Sequence, residues 1–527
     1  MLFNSYIFLF VFLPVVLSGF YLIKCSTYHH LSIAWLFASS LFFYAWWNPH
    51  YLVLILCSIL FNYTLGREIG YHPVSSQPRA RKACLIIGVG INLAFLGYFK
   101  YTNFFINNLN HISHTQITVA PIVLPLAISF FTFQQIAYLM DIYRGTSQEH
   151  RFLHYALFVT FFPHLIAGPL VHPHEMLPQF TRQRPWRQNT RYFAIGMTIF
   201  IIGLCKKTLV ADSVSSYVTD VFDAAANGEH LTFLEAWGGA LSYTYQLYFD
   251  FSGYSDMAIG LALLFGIRLP LNFYSPYKAI NIIDFWTRWH MSLSRFLFTY
   301  LYIPLRGNRK GTIRQCINIL IVMGLGGLWH GAAWGFVIWG TLHGIYLVIN
   351  HLWRWLRTSL GQDVEKNTPL GRFFSRSLTF FLVVVAWVFF RAKNLTSAIA
   401  ILNGMLGVNG LTLWKTYYAP LNRLHGLGDK LSAWGVGFND DIHFRGKDEI
   451  AWLIALSLVV WFAPNTHQLM SKYKAAINIY RGKVKDPIKK TWFLWRPTLF
   501  WAIVMALLAV MVILNLSSAS EFIYFRF

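Results

Sequence analysis

Apolar runs of bilayer-spanning length recur along this chain and leave few folds open to it. They lie near residues 6–23, 31–47, 51–66, 84–99, 121–140, 192–210, 233–249, 255–265, 316–350, 377–390, 450–462 and 499–516. About 20 apolar residues in a helix cross the hydrocarbon core, and lipid admits only backbone whose hydrogen bonds are satisfied within helices or closed barrels. The sequence is 56% hydrophobic and only 12% charged over 527 residues, which excludes an ordinary soluble domain. We therefore expect an all-α, polytopic integral membrane protein with about eleven to thirteen membrane segments, since hydropathy locates spans better than it counts interrupted ones. One domain is expected over 1–527, with N-terminal helices in 1–150, a motif-bearing core in 151–350 and C-terminal helices in 351–527. The first run has no basic residue ahead of it and no small-residue cleavage site behind it, so it reads as a retained helix.

Charge sets the expected orientation. The chain carries 43 Lys plus Arg against 21 Asp plus Glu. In so apolar a chain that excess marks cytoplasmic loops rather than nucleic-acid binding. The basic loops are 67–82, 182–191, 268–314, 354–376 and 472–496. The less basic stretches 100–120 and 410–449 should face outward, as should the acidic segment after Val210, and both termini are then outside. This scheme requires 152–170, broken by Pro163 and Pro169, to enter and leave on one side as a re-entrant hairpin. Irregular backbone of that kind is tolerated only within protein or beside a water-filled cavity. The five cysteines are scattered singly, so neither a disulfide framework nor a zinc finger is expected.

Two polar concentrations interrupt the grease. The first is residues 248–260, YFDFSGYSDMAIG, where Asp250 and Asp256 sit with Ser252 and Tyr254, and where Gly253 and the serines are expected to loosen the helix. These groups either line a pathway or hydrogen-bond neighbouring helices. The second is 326–344, GGLWHGAAWGFVIWGTLHG, centred on His330. An imidazole at membrane depth is costly and usually marks a pathway or reaction centre. Trp329, Trp334 and Trp339 read mainly as packing and interface anchors, with Trp329 also a tunnel-lining candidate. Between the two concentrations, 285–294 reads FWTRWHMSLS, and His290 taken alone is a structural or interfacial histidine.

Metal chemistry finds little support. His172-Pro173-His174-Glu175 would place both imidazoles on one side of an extended segment, but no nearby third ligand completes the set, and no metal centre is expected. His330 and His343, thirteen residues apart, would not share a face of one continuous helix. No Gly-rich phosphate loop or dinucleotide fingerprint occurs, so no tightly bound cofactor is indicated.

The runs 248–260, 272–277 (NFYSPY), 285–294, 300–305 (YLYIPL) and 328–344, in this order, resemble the membrane-bound O-acyltransferase family. Within it the chain is most similar to the branch of bacterial alginate O-acetyltransferase membrane subunits, a likeness that extends to the opening FNSYIFLFVFLPVV and the long C-terminal half. The resemblance implies an enzyme of the bacterial inner membrane, built around a central funnel. It would take an acetyl group from a cytoplasmic thioester donor, acetyl-CoA, to an extracytoplasmic polysaccharide hydroxyl. It further implies His330 as the essential catalytic residue and His290 as a second polar position in the funnel, with Asp250, Ser252, Tyr254, Asp256, Trp329 and Asn272 as substrate or tunnel candidates. An imidazole can take the proton of an attacking hydroxyl and later return one to the leaving thiolate, so His330 reads as the general base with His290 orienting or stabilising; transient acyl transfer onto His330 is the alternative.

The chain departs from the branch pattern at Thr299, where an acidic residue is common, and at Arg306-Gly307, where two glycines are common. Arg306, Arg309 and Lys310 are candidates for the phosphates of coenzyme A, although positive-inside topology accounts for them as well. The branch implies partners too: SGNH-hydrolase-like extracytoplasmic transferases and other polysaccharide modification proteins, with 410–449 as a docking candidate, besides membrane lipid. D-alanyl transfer, peptidoglycan acyl transfer and a proton-coupled transporter are the competing readings. No internal duplication favours the transporter.

Overall fold

The computed structural model describes residues 1–26, 28, 30–71, 77–120, 122–147, 151–181, 186–364, 368–440, 443–477, 494–516 and 522–523. Parts of the basic loops 67–82, 182–191, 354–376 and 472–496, and residues 441–442 of the outward stretch, lie outside the described residues. The chain is an all-α polytopic membrane protein. Among the described residues seven helices are long and apolar enough to cross a membrane: Phe8–Cys25, His50–Tyr71, Pro78–Ser113, Thr190–Ala211, Thr312–His330, Trp334–Ser359 and Pro369–Arg391. Shorter apolar helices are Leu31–Ala45, Leu395–Met405 and Leu499–Asn515. The last leaves Leu499, Phe500, Leu507 and Leu514 exposed, a face that only lipid can cover favourably.

Local sequence sets the helix ends. Pro369 opens its helix at the first position, where its missing N–H costs nothing, and the Thr368 hydroxyl accepts from Gly371 N at 3.0 Å. Asn394 caps the next helix by accepting from Ser397 N at 2.8 Å. The 152–170 stretch forms two short helices, Phe152–Thr160 and Phe162–Leu165, parted at Phe161 and buried almost throughout. The run 316–350 resolves into two helices, as its length allowed. The five cysteines are all free.

Contacts divide the chain into two compact units. The first comprises Met1–Thr208, Ser252–Asn272 and Thr466–Phe527. Its helices are tied by buried amides: Asn62 Nδ2 donates to Gln135 Oε1 at 2.5 Å, and Asn92 Nδ2 to Asn62 Oδ1 at 2.6 Å. Such interhelical hydrogen bonds stand in for the hydrophobic drive that lipid cannot supply between helices. The loosening expected around Gly253 leaves the helix uninterrupted, since Phe233–Leu264 is one α-helix of 32 residues. Gly253 serves close approach instead. A Cβ there would lie 2.8 Å from Gly203 O, and one at Gly203 would lie 2.7 Å from Gly253 O; seven residues along each helix, Gly196 and Gly260 meet in the same way.

The second unit comprises Leu209–Phe251 and Phe273–Asn465. Its membrane helices Thr312–His330, Trp334–Ser359 and Pro369–Arg391 pack in sequence order. The stretch 410–449 folds into a cap rather than an amphipathic strip: parallel strands Leu411–Trp414 and Val436–Asn439 bracket two short helices. Arg445 ties the cap to Asp220 at 2.7 Å, and His443 N donates to Glu235 Oε1 at 2.7 Å. At its exit Glu449 is fully buried, with Oε2 accepting from Arg445 N at 2.9 Å and Oε1 facing Gly238. Burial pushes its carboxyl up to about 7, with the Arg445 N–H pulling the other way.

Two outcomes follow from this packing. Gly203→Ala should destabilise the chain by about 1–3 kcal/mol, because the backbone at Gly253 and Met257 cannot yield to a methyl; thermal unfolding in nanodiscs reads it. Glu449 binds its proton more tightly when folded, so its contribution is full below its ordinary carboxyl value and is lost as pH rises through about 7. Glu449→Gln should therefore flatten that loss and stabilise the cap above pH 7, seen as slower hydrogen exchange over 410–449; an unchanged pH profile would refute the assignment.

Candidate functional site

His330 is the last residue of Thr312–His330, and the chain reverses within three residues before Trp334 begins the next helix. Glycines permit the turn. Gly331 is extended, and a Cβ on it would strike the Phe336 ring; Gly327 and Gly340 face each other so closely that a side chain on either would meet backbone of the opposite helix. The reversal sets the 4% exposed His330 imidazole among aromatic walls: Trp339 at 5.1 Å and 89°, Phe390 at 5.3 Å, and its neighbour Trp329 at 5.0 Å between ring centroids.

His290 arrives from a different part of the chain. The short helix Ile282–Trp286 is capped by Asn281, whose side chain accepts from Asp284 N at 2.8 Å. Arg288 Nε pairs with Asp284 Oδ1 at 2.8 Å, while the Arg288 carbonyl accepts from Tyr274 N at 2.9 Å. Trp289 stacks on Phe285 at 5.7 Å and 14°. Held in this way, His290 adopts a left-handed backbone, φ 41° and ψ 52°, which costs a non-glycine residue about 1–3 kcal/mol and persists only where its surroundings over-determine it. The imidazole is fully buried, edge-on to Phe251 at 4.9 Å, with its centroid 6.2 Å from that of His330. The structure thus brings together His330, His290 and Trp329. Asp250, 1% exposed, belongs to the same compact unit.

The other candidates have their own surroundings in the first unit. The Asp256 carboxylate is engaged by Lys206 Nζ at 2.6 Å, the Thr466 hydroxyl at 2.6 Å and His467 Nε2 at 3.2 Å. Asn272 Nδ2 donates to Ser255 Oγ at 3.2 Å, and the Tyr254 ring stacks on Phe3 at 5.0 Å. Ser252 is buried in the same stretch of helix.

Arg306, Arg309 and Lys310 form an exposed turn in which Arg306 is left-handed at φ 70°. Asn318, fully buried on the His330 helix, fixes this turn by donating to Leu305 O at 3.1 Å and Gly307 O at 2.8 Å. The helix from Asn318, where the turn is fastened, to His330 rises about 18 Å at 1.5 Å per residue.

Three features escaped sequence reasoning. His343 is not on one helix with His330; it lies on the following one, fully buried, its ring 5.1 Å from Trp339, which itself contacts His330. Neither His343 nitrogen has a hydrogen-bond partner among the described residues. A cavity of about 680 Å³ opens beside Asn281, Asn350, Trp353, Arg354 and Arg357; its lining comes from three segments distant in sequence, so only the polar face of one helix hinted at it. The tether through Asn318 joins residues that hydropathy treats as loop and span.

Chemically, two imidazoles on one apolar wall can take up and return a proton where water is scarce. A family model described as the membrane-bound O-acyltransferase family matches residues 145–389. The chain is 46% identical over 441 residues to the peptidoglycan O-acetyltransferase of Helicobacter pylori, covering 78% of this chain and 81% of that relative. To the probable alginate O-acetylase AlgI of Pseudomonas putida it is 41% identical over 432 residues, covering 80% and 84%. The teichoic acid D-alanyltransferase of Streptococcus thermophilus is 28% identical over 253 residues, 46% of this chain and 60% of the relative.

Asn318→Ala removes both bonds to the basic turn and should cost about 1–3 kcal/mol. Faster hydrogen exchange across residues 303–311, with the His330 end of the helix unchanged, is the expected outcome.

Proposed function

Because the chain belongs to the membrane-bound O-acyltransferase family and is a multi-pass O-acyltransferase, we propose that it moves an acetyl group from cytoplasmic acetyl-CoA to an extracytoplasmic glycan hydroxyl, with His330 as general base. The observation that carries this reading is the His330–His290 pair, two buried imidazoles 6.2 Å apart on aromatic walls. A neutral His330 nitrogen takes the proton of the acceptor hydroxyl as its oxygen attacks the thioester carbonyl. The C–O bond forms, the C–S bond breaks, and the thiolate leaves with the proton that His330 returns. His290 orients or stabilises the reacting groups. On this reading the protein sits in the bacterial inner membrane, and the cap over 410–449 faces an SGNH-hydrolase-like transferase outside.

Two basic sites compete for the donor's phosphates. One is the turn Arg306, Arg309 and Lys310; the other is Arg354 and Arg357 at the 680 Å³ cavity, favoured by its concave shape and by Trp353, on which an adenine ring can stack. Two acceptors also compete. The alginate reading rests on the AlgI relatives, and the peptidoglycan reading is favoured by the 46% identity to an enzyme of that name.

The test is acetyl-CoA turnover by the purified protein in nanodiscs, with acetylation of alginate and of peptidoglycan strands scored separately. His330→Ala should lower kcat by about 10²–10⁴-fold, and His290→Ala by less. Arg354→Gln with Arg357→Gln should raise KM for acetyl-CoA and leave kcat intact. Full turnover in folded His330→Ala removes the base, and an effect on KM confined to Arg306→Gln moves the donor to the turn.

A further inference from the structure

We propose that Asp141, His172 and His174 form a binding site for a divalent transition-metal ion, with zinc the ion that their donor set suits best. Sequence spacing alone offered two imidazoles without a third ligand. The fold supplies it from 33 residues earlier: His174 Nδ1 lies 2.9 Å from Asp141 Oδ2. One ligand atom from each of the three residues falls within 4.8 Å of the others, and theirs is the one such group of three among the described residues.

The backbone explains the convergence. Asp141 occupies the last turn of Ile128–Arg144, whose end is locked where Thr146 N bonds back to Asp141 O at 2.9 Å. His172, at φ −95° and ψ 141°, is the extended residue before Pro173, and proline at the first helical position fixes where His174 departs. Alternation along that extended piece puts both rings on one side, 5.4 Å between centroids. All three residues belong to the first compact unit.

The chemistry fits a borderline ion. Two imidazole nitrogens and one carboxylate oxygen are a common zinc set, leaving a fourth position for water or an added anion. Zinc bonds of about 2.0–2.1 Å bring tetrahedral ligands to about 3.4 Å from one another. The His174–Asp141 pair is already closer than that, and no pair need close by more than about 1.4 Å through side-chain rotation. Asp141 is 3% and His172 4% exposed, whereas the His174 side chain is 44% exposed, so two anchored ligands face an entry path guarded by a third that can swing. The bound ion would clamp the end of the Ile128–Arg144 helix to the turn that follows the buried 152–170 stretch. It is independent of His330 chemistry.

The experiment uses untagged full-length protein in nanodiscs, stripped with a chelator and titrated with zinc chloride and, as a spectroscopic probe, cobalt chloride. The expected result is about one equivalent of zinc retained per chain after desalting, with cobalt giving the visible bands of a tetrahedral site. His174→Ala, at an accessible position, and His172→Ala should each weaken binding at least about tenfold. His111→Ala, on the exposed face of another helix, should bind as the parent does. Failure of the parent chain to retain zinc overturns the proposal and leaves a simple His174–Asp141 ion pair. Equal binding by the parent, His174→Ala and His172→Ala overturns it too. If a variant fails to fold, the cobalt spectrum of the parent still decides between a tetrahedral site and none.

Discussion

The second compact unit of this enzyme depends on two helices approaching until backbone touches backbone. Gly327 and Gly340 make that possible, and the extended Gly331 lets the chain reverse in three residues. Side chains at these positions would push the helices apart and carry His330 away from Trp339 and Phe390. In lipid, where apolar side chains gain little by meeting one another, close backbone packing is a main source of helix association. The same device recurs in the first unit at Gly203 with Gly253 and Gly196 with Gly260. Helix packing in both units thus draws on one resource.

Polar groups inside the molecule divide by task. Asp256 is saturated by Lys206, Thr466 and His467, and the Asn62, Asn92 and Gln135 amides satisfy one another. Such groups hold helices in register. Three histidines of the second unit also meet rings: His290 by Phe251, His330 by Trp339, His343 face-on to Phe285 at 5.9 Å and 10°. Aromatic edges and faces orient an imidazole through the ring quadrupole.

Much of this was legible in the sequence, for physical reasons that differ by residue. Hydropathy marked the spans because lipid permits so few alternatives, and it marked His330 because an imidazole stands out there. The order of motifs carried the family and with it His290, which composition alone would have left as interfacial. The polar run 248–260 misled at Gly253: the signal for a loosened helix is the same as that for close packing, and only the partner at Gly203 distinguishes them. Asn318, the cavity at Arg354 and Arg357, and the meeting of Asp141 with His172 and His174 depend on residues far apart in sequence. No local pattern encodes such meetings.

The two hydrogen bonds from Asn318 also carry a mechanical meaning. A turn fastened to a helix flank cannot flex alone, so a force applied to residues 305–307 is felt along the whole rod that ends in His330. The helix from Asn318 to His330 then acts as a push-rod about 18 Å long. Displacement of that turn would reach the imidazole as an axial shift or a rotation of the helix.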